Sequence, residues 1–426
     1  MSKDARNVPA LRFKGYSDAW EKRKLGEIFN VVTDYVANGS FKSLRQRVST
    51  YSNPNFAYMI RLQDASNNWK GPWLYTDQQS YSFLAKTKLN PGDILMSNVG
   101  SVGKFFLVPD LDRPMTLAPN AILLRSMTYS TYFLFQLLQT SSMTESINEK
   151  TTPGVQQKIN KTDLKKIITN VPTLNESSMV GQMLSLLDNL IAATQDKLSF
   201  LKKMKMFFLQ QIFPTKNHDV PQIRFDGFTD VWSHYKLGSL MRIDKEQEVK
   251  KELLTDIQKG FYVLAMRTFS MDGYIDHSKP YWLNHLDNVS DDKFLLPREF
   301  AILDADMDAN LPKIGRVLLN ASSEKYLLAA HVRKIQVKSG NDPIFIYALM
   351  RGNSVHERLK LEANGSISKR LLDKNVYKQS ILVPNRSEQS RIGRLFFLLE
   401  TTITLHQQKI KMLKQVKKSC LQNLFI

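Results

Sequence analysis

The feature that most constrains this chain is that it is written twice. The segment Pro9-Ala-Leu-Arg12-Phe13-Lys-Gly15-Tyr-Ser-Asp18-Ala-Trp20, closing on Lys24-Leu25-Gly26, returns 212 residues later. There it reads Pro221-Gln-Ile-Arg224-Phe225-Asp-Gly227-Phe-Thr-Asp230-Val-Trp232 and closes on Lys236-Leu237-Gly238. The downstream ends keep the same offset: Pro172, Glu176, Gly181, Leu187, Ile191, Leu201, Lys205 and Phe213 match Pro384, Glu388, Gly393, Leu399, Ile403, Leu413, Lys417 and Phe425. The middles diverge, although Arg61 in Met59-Ile-Arg-Leu has a parallel in Arg267, and Val102-Gly103-Lys104 in Ile314-Gly315-Arg316. A long-period repeat is one structural unit used twice. Matched ends around unmatched middles predict one scaffold carrying two different faces.

Each copy closes on a long helical pattern. Leu187, Ile191, Thr194, Leu198, Leu201, Met204, Phe208 and Ile212 recur at an average spacing of 3.5 residues, as do Leu399, Ile403, His406, Ile410, Leu413, Val416, Cys420 and Leu424. That spacing makes a narrow apolar seam suited to pairing with another helix. Leu187, Ile191, Leu198, Leu201, Leu399, Ile403, Ile410 and Leu413 are therefore the expected pairing residues. A helix from Glu176 to Phe213 would be roughly 57 Å long. Two such helices in one chain most simply pack on each other as a coiled coil; if antiparallel, they would relate the copies by an approximate two-fold axis.

The middles read as mixed α/β. Strands are expected at Asp93–Met96, Phe105–Val108 and Ala121–Leu124, and at Phe300–Leu303, Arg316–Leu319 and His331–Val337, with short helices at Tyr132–Leu138 and Ile344–Met350. The connections are too short for repeated parallel crossovers, so the sheets should be largely antiparallel. The predicted organisation is a globular domain over 1–155, a helical segment over 156–219, a second globular domain over 220–367 and a second helical segment over 368–426.

Lys and Arg number 59 against 40 Asp and Glu, a net charge of +19. That excess favours a polyanionic partner, nucleic acid before membrane. Candidate DNA-contacting side chains are Lys42, Arg45, Arg47, Arg61 and Lys104 in the first copy, and Arg267, Lys313, Arg316, Arg333 and Lys334 in the second; arginine suits guanine edges, and both residue types suit phosphates. With one cysteine, Cys420, an intrachain disulfide is excluded and a reducing cytoplasm is expected. No secretory leader or membrane span is expected.

Catalytic motifs fail on inspection. Gly100-Ser-Val-Gly103-Lys104 lacks the glycine spacing of a phosphate loop and is followed by Phe105. Asp304-Ala-Asp306-Met-Asp308 opens like a calcium loop, but Ala309 and Gly315 stand where the turn glycine and bidentate acid belong. Asn53-Pro54-Asn55-Phe56 departs from the methyltransferase motif at Asn55, and no nuclease constellation or histidine cluster is evident. No metal site and no catalytic residue are assigned, and the chain is expected not to be an enzyme.

The two opening motifs, together with Pro172-x-x-x-Glu176 and Pro384-x-x-x-Glu388 leading into the helices, resemble the specificity subunits of type I restriction–modification systems. The glycine-lysine turn at Gly103-Lys104 is similar to a hairpin of their target-recognition domains, whereas Ala301-Ile-Leu-Asp-Ala departs from the usual Gly-Asp-Ile. The resemblance implies that each globular domain reads half of a bipartite double-stranded DNA site. It also implies that the helices set the spacer, that two methyltransferase subunits dock on helices and conserved segments, and that translocating restriction subunits join through them. S-adenosylmethionine, ATP and Mg2+ would then serve those partners.

Overall fold

The computed structural model describes residues 7–152, 157–214, 220–245, 249, 251–270, 272–278, 280–284, 291–308, 310–365 and 368–426. Three expected domain boundaries, at 155/156, 219/220 and 367/368, fall at or beside residues outside that set, as does Ala309. The chain divides into two compact units: residues up to Ala192 with Lys411–Ile426, and Ala193–Ile410.

In the first unit an antiparallel sheet runs in the order Val31–Asp34, Ala121–Arg125, Ile94–Ser97, Phe105–Leu107. A second runs Tyr75–Thr76, Ala57–Ile60, Met115–Leu117, Lys88–Leu89, with a single parallel pairing between Ala57–Ile60 and Met115–Leu117. The second unit repeats the first sheet as Met241–Ile243, Val332–Val337, Phe300–Leu303, Val317–Leu319. Its other sheet has five strands: Leu254–Thr255, Trp282–Leu283, Phe261–Leu264, Tyr326–Leu328 and Phe294–Leu295. All six predicted strands are present to within a residue or two, as are the short helices at Thr131–Leu137 and Pro343–Arg351.

The matched ends of each copy are matched because they meet. Glu21–Lys24 pairs antiparallel with Ile168–Val171, and Ser233–Lys236 with Ser380–Val383. Beside each ribbon the opening arginine grips the helix-start glutamate in a two-point ion pair. Arg12 Nε and Nη2 lie 2.7 and 2.8 Å from the Glu176 oxygens, and Arg224 Nε and Nη2 both lie 2.7 Å from those of Glu388. Planar guanidinium matches planar carboxylate, and both glutamates are fully buried. The helices that follow, Leu174–Gln211 and Arg386–Leu424, start at polar caps: Glu176 N donates to Thr173 Oγ1 and Glu388 N to Asn385 Oδ1. At 38 residues the first is about 57 Å long. Gly181 and Gly393 let these helices approach the short ones. A Cβ on Gly181 would lie 3.0 Å from Phe133 N and against Ser130 Oγ; on Gly393 it would lie 3.2 Å from Phe345 N and against Asp342 Oδ1.

Within each unit the two long helices run antiparallel. In the first, Leu184 and Leu187 share a core with Leu421 and Leu424, and Lys417 Nζ lies 2.7 Å from Asp188. In the second, Leu201 and Leu209 share one with Ile392, Leu399 and Ile403, and Lys205 pairs with Glu400. Each helix ends in an aromatic nest. Phe425 stacks on Phe133 at 5.4 Å and meets Trp20 at 6.3 Å; Phe213 meets Phe345 at 5.8 Å, Phe396 at 5.8 Å and Trp232 at 6.4 Å. These three-way contacts add to ordinary burial through ring quadrupoles. The terminal residues of each copy thus close on that unit's opening motif, and Leu11 N donates to Asn423 O as Ile223 N does to Gln211 O.

One buried group is expected to make the second unit acid-sensitive. His356, in the helix Asn353–Leu361, is 1% exposed, with its Nδ1 3.5 Å from the Glu357 carboxylate. Burial, and then the nearby Arg316, push its pKa down to about 4. The unfolded chain takes up this proton near pH 6.5 while the fold refuses it, so the contribution is intact above that pH. It is lost as pH falls from about 6.5 to about 4, at a cost approaching 3 kcal/mol. Urea unfolding at pH about 7 and about 5 should show that loss, and His356→Gln should flatten it; an unchanged slope in the variant would assign the effect elsewhere.

Candidate nucleic-acid interface

In the first copy the exposed basic residues sit on a short, pinned helix, Phe41–Arg47. Ser40 Oγ caps it by accepting from Ser43 N at 3.2 Å, and Leu44, 3% exposed, anchors it against Met59, Leu84 and Ala118. Lys42, Arg45 and Arg47 are left exposed, with Arg47 lying 5.3 Å over the Phe83 ring. No acidic residue occurs between Asp34 and Asp64, so nothing nearby in sequence neutralises them. Lys104 is exposed after the hairpin turn Gly100–Gly103, where both glycines take positive φ (77° and 82°). Arg61 is differently employed. Its Nε and Nη2 bind Asp64 at 3.0 and 2.7 Å, and Nη2 also donates to the Pro72 carbonyl.

The second copy holds its candidates more tightly. Arg267 pairs with Asp256, donates to the Pro280 carbonyl at 2.6 Å and lies 3.3 Å from the Tyr281 ring centre. Lys313 is half-buried, its Nζ 3.5 Å from the Met266 carbonyl. Arg316 is half-buried too, and burial, then repulsion from Arg351, push its pKa down to about 10. Arg333 Nη2 lies 2.9 Å from Asp373, and Lys334, 5% exposed, lies 3.0 Å from Glu299. Lys42, Arg45, Arg47 and Lys104 are therefore the candidates with accessible charge; Arg61, Arg333 and Lys334 are committed to carboxylates inside the protein.

Along the long helices, Ile191, Leu201, Leu399, Ile403 and Ile410 are buried, and Leu187, Leu198 and Leu413 half-buried. A second apolar register stays exposed. Met179, Leu186, Phe200 and Phe207 on the first helix, and Leu398, Leu405 and Met412 on the second, are 40–68% exposed and recur at sevens or multiples of seven. Sequence reading did not single out this stripe. It also missed the functions of Arg12, Glu176, Lys205 and Glu400; their signal was present, since ion-pair partners recur at the repeat offset. Among the described residues no group of three or more His, Cys, Asp or Glu side chains is placed to hold a metal, and no helix is long and apolar enough to cross a membrane.

The family described as the type I restriction modification DNA specificity domain matches residues 17–203 and again 229–415, once per copy. The chain belongs to that family. A protein of Methanocaldococcus jannaschii assigned as the type I restriction enzyme MjaX specificity subunit is 22% identical over 357 residues, covering 81% of this chain and 80% of the relative. The type I restriction–modification S subunit of M. genitalium shares the fold, with a TM-score of 0.63, 14% identity, and coverage of 98% of this chain and 99% of that one. The two family matches begin within the opening motifs, after Arg12 and Arg224, and run into the long helices. Two tandem specificity domains fit the reading of a bipartite DNA site.

Proposed function

We propose that each specificity domain of this subunit reads one half of a bipartite double-stranded DNA site, that the helices set the spacer, and that catalysis belongs to its partners. The observation that carries this reading is the pairing of matched frames with divergent middles. Arg12–Glu176 and Arg224–Glu388 hold the two copies alike, while exposed Lys42, Arg45, Arg47 and Lys104 have a differently employed counterpart set in Arg267, Lys313, Arg316, Arg333 and Lys334. Phosphate contacts would supply affinity with strong salt dependence, and base edges the choice of sequence.

The exposed seven-residue stripes support docking of two methyltransferase subunits, because apolar residues at that spacing are covered by another helix. Restriction subunits would join through that complex, with S-adenosylmethionine, ATP and Mg2+ serving the partners in the cytoplasm.

Exchanging residues 27–150 for those of another family member, then mapping methylated sites in genomic DNA, tests the reading. One half-site should change completely and the other not at all. A change in both halves would count against independent readers, and the absence of any bipartite footprint would leave the chain an assembly scaffold.

A further inference from the structure

We propose that Phe41 is a wedge which the first specificity domain inserts between stacked base pairs of its half-site, with Lys42 and Arg45 holding the flanking phosphates. The inference rests on the reading that this domain binds duplex DNA. Phe41 is 76% exposed, so it serves no core. It is the first residue of the helix Phe41–Arg47, whose start Ser40 already caps, so it serves no capping role. An aromatic ring held in water is a standing cost of one to a few kcal/mol of unrealised burial.

The tip that carries it is pre-organised. Asn38 Nδ2 donates to the Tyr35 carbonyl at 3.1 Å and to Thr87 Oγ1 at 2.8 Å, while Asn38 Oδ1 accepts from Lys86 N at 3.0 Å. Leu44 pins the next turn. The rigid tip also presents Val36, 42% exposed, as an apolar neighbour. What covers an exposed ring is decided here by charge. The ring shares its short helix with the exposed Lys42, Arg45 and Arg47, in a stretch of sequence with no acid from Tyr35 to Gln63, a basic segment that suits a polyanion with stackable faces. Apolar side chains carried on basic surfaces partly unstack a base step and kink the duplex, and stacking on an aromatic is tolerant of sequence. A Phe41 wedge would therefore favour half-sites containing an easily opened step, a preference exercised without a base-edge hydrogen bond.

The test uses the full chain in complex with its methyltransferase subunits, on duplexes bearing the mapped site with 2-aminopurine placed at successive steps of the first half-site. The wild-type complex should raise fluorescence at one step. Phe41→Ala should abolish that rise and weaken binding roughly tenfold without changing the salt slope. Phe41→Trp should restore the rise, its own emission quenched on binding. Lys42→Ala and Arg45→Ala should keep the rise while each lowers the slope by about 0.9. A Phe41→Ala complex with wild-type fluorescence and affinity overturns the wedge alone, as does a variant that binds DNA normally but loses its methyltransferase. A wild-type complex that selects no bipartite site overturns the parent reading, and the wedge with it.

Discussion

Replacing Glu400 with alanine is expected to lower the unfolding free energy by about 3–5 kcal/mol, whereas Asp188→Ala, at the equivalent position of the other copy, should cost about 1 kcal/mol or less. The two carboxylates do the same job in different surroundings. Lys205 and Glu400 side chains are 2% and 3% exposed. Lys205 Nζ also donates to Tyr274 Oη at 3.0 Å, and Tyr347 donates its hydroxyl to Glu400. Burial pushes the Lys205 pKa down to about 8 even with Glu400 pulling it up, so removing the carboxylate strands an ammonium away from water. Lys417 and Asp188 are 25% and 29% exposed; water takes over much of what the partner supplied. Equal costs for the two variants, measured by urea unfolding, would refute burial as the controlling variable. Replacing both Lys205 and Glu400 with apolar residues of similar volume should cost far less than Glu400→Ala, because no charge remains to desolvate.

This pair also marks how far the sequence could be read. The repeat, the 3.5-residue seam and the strands around Gly103 and Gly315 were legible because each rests on a local period or on a turn that demands glycine. The helix limits shifted by two residues, from Glu176–Phe213 to Leu174–Gln211, and the polar cap at Thr173 rather than Glu176 fixes the start. The partners were not legible. Lys205 stood out only as a repeat position matched by Lys417, and only folding reveals that it is buried against Glu400 and Tyr274. Arg61, Arg333 and Lys334 read as available cations for the same reason. A sequence displays charge, but whether Asp64, Asp373 or Glu299 lies opposite is settled by the register of distant strands. Phe41 was not legible either, because an aromatic at the first position of a short helix carries no sign of whether it faces the core; it is 76% exposed.

Removing residues 193–199 from the first long helix and 406–412 from the second is expected to shorten the preferred DNA spacer by about three base pairs while leaving both half-sites unchanged. The positions follow from the register. Asp188 to Lys205 and Glu400 to Lys417 are equal intervals along the two helices, and each acid meets the other helix's lysine within its own unit. Excising seven residues inside both intervals preserves both ion pairs, and it preserves the seam, since seven residues are two turns of a 3.5-residue repeat. Each helix loses about 10.5 Å of rise, which corresponds to about three base pairs at 3.4 Å each. Excising the segment from one helix alone should instead force Lys205 or Lys417 off its carboxylate and cost several kcal/mol, with loss of soluble complex. Removing five residues from both turns the apolar face by about 140° away from its partner and should have the same consequence. Methylation mapping reads the outcome directly: a spacer that stays constant after the paired seven-residue deletion would mean that the helices hold the subunit together without measuring the DNA.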